Sequence, residues 1–372
     1  MHPICSEAIE EKILTGTRLS REEGLRLWQE GDLLELAQLA NHVRFRWNPQ
    51  AMVTFVIDSN PNYTNVCVTD CVFCAFYRKP GSAEGYTLSV PQVMEKIQRA
   101  VEQGATTVLL QGGHNPDLPL DYYTELVRET RRRFPQVMPH FFSASEVTTM
   151  AQVSGLSIGE VLQRLKEAGQ RTLPGGGAEI LSDRIRRRLS SKKGPAEAWL
   201  TVHRQAHQLG FKSTATMMFG HIEEDEDILD HLDHLRNLQD ETGGFTAFVP
   251  WSFKPGHTPL ERHIPHHAGP TRYLRLIAFS RIYLENFPHI QASWFSEGKK
   301  TGQAALHFGA DDFGGTLFEE NVHAATSFIN TATADEVVTL IQESGFQPAQ
   351  RTTLYEVLRV FPAPLPLCAH EP

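Results

Sequence analysis

Cysteine is scarce in this chain, with five in 372 residues. So sparse and odd a set excludes a disulfide framework and implies a reducing compartment. Apolar runs are short: none approaches a membrane span, and the opening residues do not read as a charged-then-apolar leader. Cytoplasm is the expected location. A surplus of positive charge is missing as well, since 35 Lys and Arg stand against 44 Asp and Glu, a formal net charge of −9. That balance argues against a nucleic-acid binder. No short repeat or low-complexity segment stands out. What remains, 41% hydrophobic and 21% charged, is an ordinary globular composition that can bury a full core. The length fits two average domains or one large α/β barrel.

Residues 6–44 read as helices. Ser20 followed three residues later by Glu23 is a capping-box start, and Leu33, Leu36, Leu39 and Ala40 continue an apolar face after Gly31-Asp32. An N-terminal helical extension is therefore predicted over residues 1–50. From Met52 onward, short β-rich runs alternate with helical stretches. Strands are predicted at 52–57, 106–110, 138–143, 172–173, 212–219, 245–250 and 289–295, with a last short one at 304–309. Helices are predicted at 91–104, 121–134, 158–168, 195–209, 228–242 and 271–286. This is the pattern of parallel βα units, so the expected fold is α/β, a (β/α)8 or partial TIM barrel over residues 51–345. Residues 346–372 are left as a C-terminal segment whose Pro-rich tail is expected to be poorly ordered. Arg184–Lys193 carries six basic residues in ten. It reads as a solvated helix face and turn, kept as a surface for a reductase partner.

Three of the five cysteines sit together as Cys67, Cys71 and Cys74, at spacing C-x3-C-x2-C directly after the first strand. A structural zinc site needs four ligands, and no fourth Cys or His lies nearby. Three thiolates on so short a loop suit an iron–sulfur cubane with one iron left open for a small molecule. Cys5 and Cys368, near the termini, are expected to be incidental.

In a parallel barrel the site lies at the C-terminal ends of the strands, and the polar and Gly-rich motifs fall there. Gln111-Gly112-Gly113-His114 follows the second strand, where paired glycines admit close backbone approach. Ser143, Ser145 and Glu146 follow the third. A hydroxyl and a carboxylate there could hold a cis-diol, or they could be a helix N-cap with its first-turn acid. Gly175, Gly176 and Gly177 precede Glu179, a run that suggests close approach to a substrate carboxylate. His221 and Glu223 follow the strand at 212–219, Trp251 and Phe253 follow the next, and Asp312 follows the last. A proton-accepting site among His221, Glu223 and Asp312 is the expectation, with Trp251 and Phe253 as an aromatic cover.

The cysteine spacing, with Phe73 just before the third thiol, resembles the signature of the radical S-adenosylmethionine (radical SAM) superfamily. The resemblance implies a [4Fe–4S] cluster on Cys67, Cys71 and Cys74, with S-adenosylmethionine on the open iron. It places Gln111–Gly113 against the cofactor's methionyl end, Ser143, Ser145 and Glu146 against its ribose, and Phe73 among the cofactor-binding residues. The usual Gly-Gly-Glu is altered here, which favours backbone carbonyls as acceptors. Asn62–Arg78, Pro174–Leu181, Ala215–Glu223, Pro250–Thr258 and Phe308–Val322 look like the menaquinone-pathway and deazaflavin-cofactor branch. Within it, Pro250–Pro255 and Ile290–Trp294 are most similar to the family that cyclises dehypoxanthinyl futalosine.

That family abstracts a ribose hydrogen and closes a ring onto the benzoate of a nucleoside-derived substrate. His114, Gly175–Gly177, Glu179, Trp251 and Phe253 would line the substrate site, and a flavodoxin or ferredoxin would supply electrons. Aminofutalosine synthesis is the competing chemistry within the branch. A non-catalytic iron–sulfur protein is the competitor outside it. Arg171, where an acid is usual, and Asp311-Asp312-Phe313-Gly314-Gly315 depart from the branch pattern.

Overall fold

In the computed structural model, residues 7–264 and 266–363 are described. Cys5, Cys368 and the tail from residue 364 lie outside them. The chain opens with helices Glu7–Thr15, Arg21–Glu30 and Leu33–Trp47. Ser20 and Glu23 cap the second reciprocally, as the sequence predicts, and Asp32 caps the third through the Leu34 N–H at 2.8 Å. Their apolar faces bury Leu27, Trp28, Leu36 and Ala40 against helix Pro270–Tyr283, with the Trp28 and Phe279 rings 5.4 Å apart.

Among the described residues eleven strands follow: β1 Met52–Val56, β2 Asp58–Ser59, β3 Thr107–Leu110, β4 Met138–Phe141, β5 Thr172–Leu173, β6 Lys212–Phe219, β7 Phe245–Ser252, β8 His289–Ile290, β9 Asp312–Gly315, β10 Gln347–Arg351 and β11 Val357–Val360. They form three sheets, ordered β11-β10-β1-β9, β2-β3-β4 and β5-β6-β7-β8. Every ladder is parallel except β10–β11. The sheets join into one barrel wall. β2 continues β1, and Ala292 N–H donates to the Asp312 carbonyl at 2.7 Å to link β8 with β9. Between β4 and β5, the Gln170 amide donates to the Phe141 carbonyl at 2.7 Å and the Thr172 hydroxyl to that of Pro139 at 3.0 Å.

Three expectations fail here. The strand expected at 289–295 stops at Ile290, and helix Trp294–Glu297 begins within that stretch. Residues 304–309 are not a strand: helix Lys299–Ala305 ends inside that stretch, a turn follows, and the strand comes later, at Asp312–Gly315. β10 pairs in parallel with β1, Met52 opposite Gln347, so the barrel wall extends past residue 345. Its sequence, Gln-Pro-Ala-Gln-Arg, has no β-branched or aromatic residue to announce a strand. The N-terminal helices share one hydrophobic core with the barrel, from Ile9 and Trp28 through Val108 to Phe219.

Candidate active site

The loop leaving β2 is stitched to the loop leaving β3. Gly113 N–H donates to the Thr64 carbonyl at 2.8 Å, Val68 N–H to that of His114 at 3.1 Å, and the Asn62 amide to that of Gln111 at 2.9 Å. This contact explains the twin glycines. A Cβ on Gly113 would overlap the Val66 carbonyl, and one on Gly112 the Tyr63 ring. Their smallness therefore positions the cysteine loop, whatever else they touch.

Cys67, Cys71 and Cys74 are free thiols. The Thr69 hydroxyl lies 2.9 Å from Cys67 Sγ and 3.6 Å from that of Cys71. Burial pushes the Cys71 thiol up and, with Cys71 as a neighbour, takes Cys74 to about 11. Buried thiols so disfavoured as bare anions need a cationic partner before they ionise. Lys193 supplies one positive charge. Burial alone would lower its pKa, but Cys71, Glu179 and Cys67 raise it. Its Nζ lies 2.7 Å from Glu179 Oε1 and 5.5 Å from the centre of the Phe73 ring. Among the described residues no three His, Cys, Asp or Glu side chains converge on one ion position. A four-iron cube is larger than an ion and spreads its ligands apart, so the soft donor set fits it.

Glu146 is wholly committed to protein partners. It accepts from Tyr63 Oη at 2.7 Å, Gly112 N–H at 3.0 Å, Ser143 N–H at 2.7 Å and Ser143 Oγ at 2.6 Å. Burial raises its pKa even against these donors. Ser143 in turn caps helix Ala144–Ser154. The capping alternative is thus what the geometry shows, and it fixes Gly112 to the helix. Ser145 Oγ lies 3.1 Å from both Ser143 Oγ and His114 Nε2, while His114 Nδ1 meets Thr149 Oγ1 at 3.1 Å. Burial takes His114 down to about 3, so it is a neutral linker.

Beyond β5, a Cβ on Gly175 would overlap Thr214–Ala215 backbone, and one on Gly176 the Gln111 amide. Arg186, fully buried, donates to the Ala178 carbonyl at 2.6 Å and to that of Gly194 at 3.0 Å. The basic run is therefore not one solvated face. Arg186 and Lys193 point inward, while Arg187, Arg188 and Lys192 stay exposed.

One cavity of about 310 Å³ gathers most of these groups. Cys67, Cys71, Phe73, Cys74, Gln111, Gly112, Gly113, His114, Ser143, Ser145, Glu146, Gly175, Gly176, Gly177, Glu179 and Trp251 all line it. Near Trp251, the His323 ring lies 5.5 Å from both Trp251 and Phe295.

Four expected residues are not on this lining. Nε2 of His221 meets the Met218 carbonyl at 3.0 Å, and its Nδ1 lies 2.7 Å from Ile222 N and 3.0 Å from Glu223 Oε2. Glu223 accepts from the N–H groups of Gly220 and His221 at 2.7 and 2.8 Å and from Arg272 at 3.2 Å. The pair ties up the turn into helix Asp225–Thr242 and leaves no free proton acceptor. Asp312 is fully buried, held by both arms of Arg351 and by Thr54 Oγ1 at 2.6 Å. Phe253 is packed into the core. In their place the cavity exposes Asp58, His140, Lys193, Arg351 and Tyr355, which the sequence did not single out. Asp58 could have been found, as an acid closing an apolar strand. Arg351 could not, because its segment did not read as a strand.

The Radical SAM superfamily model matches residues 62–235, and the CofH/MqnC C-terminal region model matches residues 242–364. The chain is 42% identical to cyclic dehypoxanthine futalosine synthase of Halalkalibacterium halodurans, over 95% of both chains. It is 41% identical to aminodeoxyfutalosine synthase of Thermus thermophilus, over 95% of this chain and 96% of that one. Among solved structures, the [FeFe]-hydrogenase maturase HydG superposes with a TM-score of 0.74 at 16% identity, covering 94% of this chain and 76% of that one, a likeness of fold. Membership implies a [4Fe–4S] cluster and S-adenosylmethionine, which the three-thiol loop and its cavity suit. With relatives this similar along nearly the whole chain, the protein belongs to the radical SAM superfamily, in the branch that carries the CofH/MqnC C-terminal region.

Proposed function

We propose that this chain cyclises dehypoxanthine futalosine, a step of menaquinone biosynthesis, in the cytoplasm. The observation that carries the reading is the full-length similarity to the cyclic dehypoxanthine futalosine synthase, taken with one cavity that joins the thiol loop to the aromatic residues near Trp251. Cys67, Cys71 and Cys74 would hold the cluster, with Lys193 offsetting its negative charge. When bound, the cluster and S-adenosylmethionine supply hydrogen-atom abstraction from the substrate's ribose.

The protein's own contribution is position and exclusion of water. Gln111–Gly113, held in place by Glu146, and the hydroxyls of Ser143 and Ser145 would cradle the cofactor. Gly175–Gly177 and Glu179 would form the facing wall, and His114 would fix Ser145. Trp251, with His323 and Phe295, would cover the substrate so that its two halves stay in a near-attack arrangement. Phe253 supports that cover from the core. His221, Glu223 and Asp312 would act as positioning residues.

Electrons would come from a flavodoxin or ferredoxin. In support, exposed Arg187, Arg188 and Lys192 border the thiol loop: Val72 N–H donates to the Leu189 carbonyl at 3.0 Å, and Lys192 pairs with Asp70 at 2.8 Å. Such a cationic rim suits an acidic carrier.

The Thermus relative supports a second reading, in which an adenosyl group is joined to an enolpyruvyl benzoate. Anaerobic incubation of reconstituted protein with reductant, S-adenosylmethionine and each candidate substrate, read by mass spectrometry, separates the two. Cyclised product with an equal amount of free 5′-deoxyadenosine is the expected result. A product containing the adenosyl group, without free 5′-deoxyadenosine, would replace this reading with the second.

A further inference from the structure

The cavity has a second polar end, away from the thiol loop, that no role above uses. Asp58 on β2 and Thr107 on β3 stand opposite each other in register, one strand from His140 on β4. β10 delivers Arg351 to the same place, and Thr353 just beyond it meets Thr107 hydroxyl to hydroxyl at 2.6 Å. All line the cavity, as does Tyr355, whose ring lies 3.8 Å under the Arg351 guanidinium. This end, where β2, β3 and β4 meet the end of β10, is the cavity's floor.

Its groups are built but not satisfied. Arg351 spends Nε and one Nη2 N–H on Asp312 and one Nη1 N–H on the Thr352 carbonyl. A guanidinium has five N–H donors, so two are left for the cavity. The Tyr355 hydroxyl and His140 Nδ1 are buried with no partner among the described residues. Unpaired buried donors are costly unless a ligand completes them. Side chains two apart on a strand share a face, so Val56 beside Asp58 and Leu109 beside Thr107 give the floor apolar walls.

We infer that this floor binds a carboxylate carried on a flat apolar body, with Arg351 and Tyr355 as donors and Asp58 beside them. The inference rests on reading the cavity as the substrate site, and it assigns the end at which an acidic substrate group is anchored. Asp58 opposes it least below neutrality. Burial raises its carboxyl to about 7, although the Leu317 N–H and Arg351 pull the other way and Asp312 adds to the rise. The charged or titratable groups around it are Arg351, Asp312, His140 and Tyr355. His140 is held neutral, lowered to about 3 by burial and by Arg351.

Benzoate and benzamide, equal in shape and different in charge, are the probes, titrated calorimetrically into reconstituted holoprotein. Benzoate is expected to bind at least about tenfold more tightly, the usual gain of a charge-assisted bond. Tyr355→Phe should weaken benzoate severalfold more than benzamide, whose carbonyl accepts from the same hydroxyl but carries no charge. Benzoate affinity should also fall as pH rises through about 7, where Asp58 ionises, and Asp58→Asn should flatten that fall. Equal affinity for the two probes, or a benzoate preference untouched by both substitutions, overturns the assignment. Because binding is read without turnover, a protein that cyclises futalosine yet ignores benzoate fails only this inference. One that binds benzoate through Tyr355 yet cyclises nothing fails only the proposed function.

Discussion

At Glu223 burial and hydrogen bonding pull one carboxyl in opposite directions, and the bonds prevail. Burial would raise it, but His221 and the backbone N–H groups of Gly220 and His221 hold it at about 2, against 4.5 when free. A carboxyl depressed in the folded state contributes stability that is present above 4.5 and lost as pH falls from there toward 2. Replacing Glu223 with Gln should flatten melting temperature against pH in that window. An unchanged acid slope would show that the carboxylate is not held as described. His221→Ala should lower the melting temperature, since it strands a buried N–H and a carbonyl at about 1–3 kcal/mol. In the fraction that folds, cofactor cleavage should be retained. The sequence pointed to this His because of its residue type and its place after a strand, and neither says which way a ring turns. His140 and Tyr355 were overlooked for the converse reason: nothing local marks a polar side chain that the barrel will turn inward.

Between elements, glycine is where local sequence and tertiary contact meet. Gly113 and Gly176 look alike in sequence but face different neighbours. A Cβ at Gly113 meets the backbone carbonyl of Val66, next to Cys67, which cannot give way without moving the loop. At Gly176 it meets the end of the Gln111 side chain, which can swing aside. Gly113→Ala is therefore expected to lose most of its iron on reconstitution while keeping its far-ultraviolet circular dichroism. Gly176→Ala should load normally. Equal iron content in the two variants would contradict the loop-to-loop stitching. The long elements were legible because their patterns are regular: helix Ile158–Ala168 and strand Lys212–Phe219 stand where periodicity puts them. Asp312–Gly315 and Gln347–Arg351 were not, since their pairing is decided by neighbours in the barrel.

For the whole molecule, the question is whether the first fifty residues are an attachment or part of the core. Arg44, fully buried, donates to the Met52 carbonyl at 2.9 Å and to that of Ala310 at 3.3 Å, reaching both β1 and the approach to β9. Gly309 leaves no room for a Cβ between Ala40 and Arg281, and Arg281 pairs with Asp311 beneath them. Leu27, Trp28, Leu36, Leu39 and Val43 are all buried. At about 1.5–3 kcal/mol each, these five contribute roughly 7–15 kcal/mol of burial, as much as the whole net stability of a typical domain. A chain that begins at Ala51 would expose the partner face on helix Pro270–Tyr283 and strand the buried Asp311 network near solvent. It is expected to be insoluble, or to bind hydrophobic dye and melt without a cooperative transition. A soluble truncated protein that unfolds cooperatively and still loads iron would show instead that residues 1–50 are a separable extension.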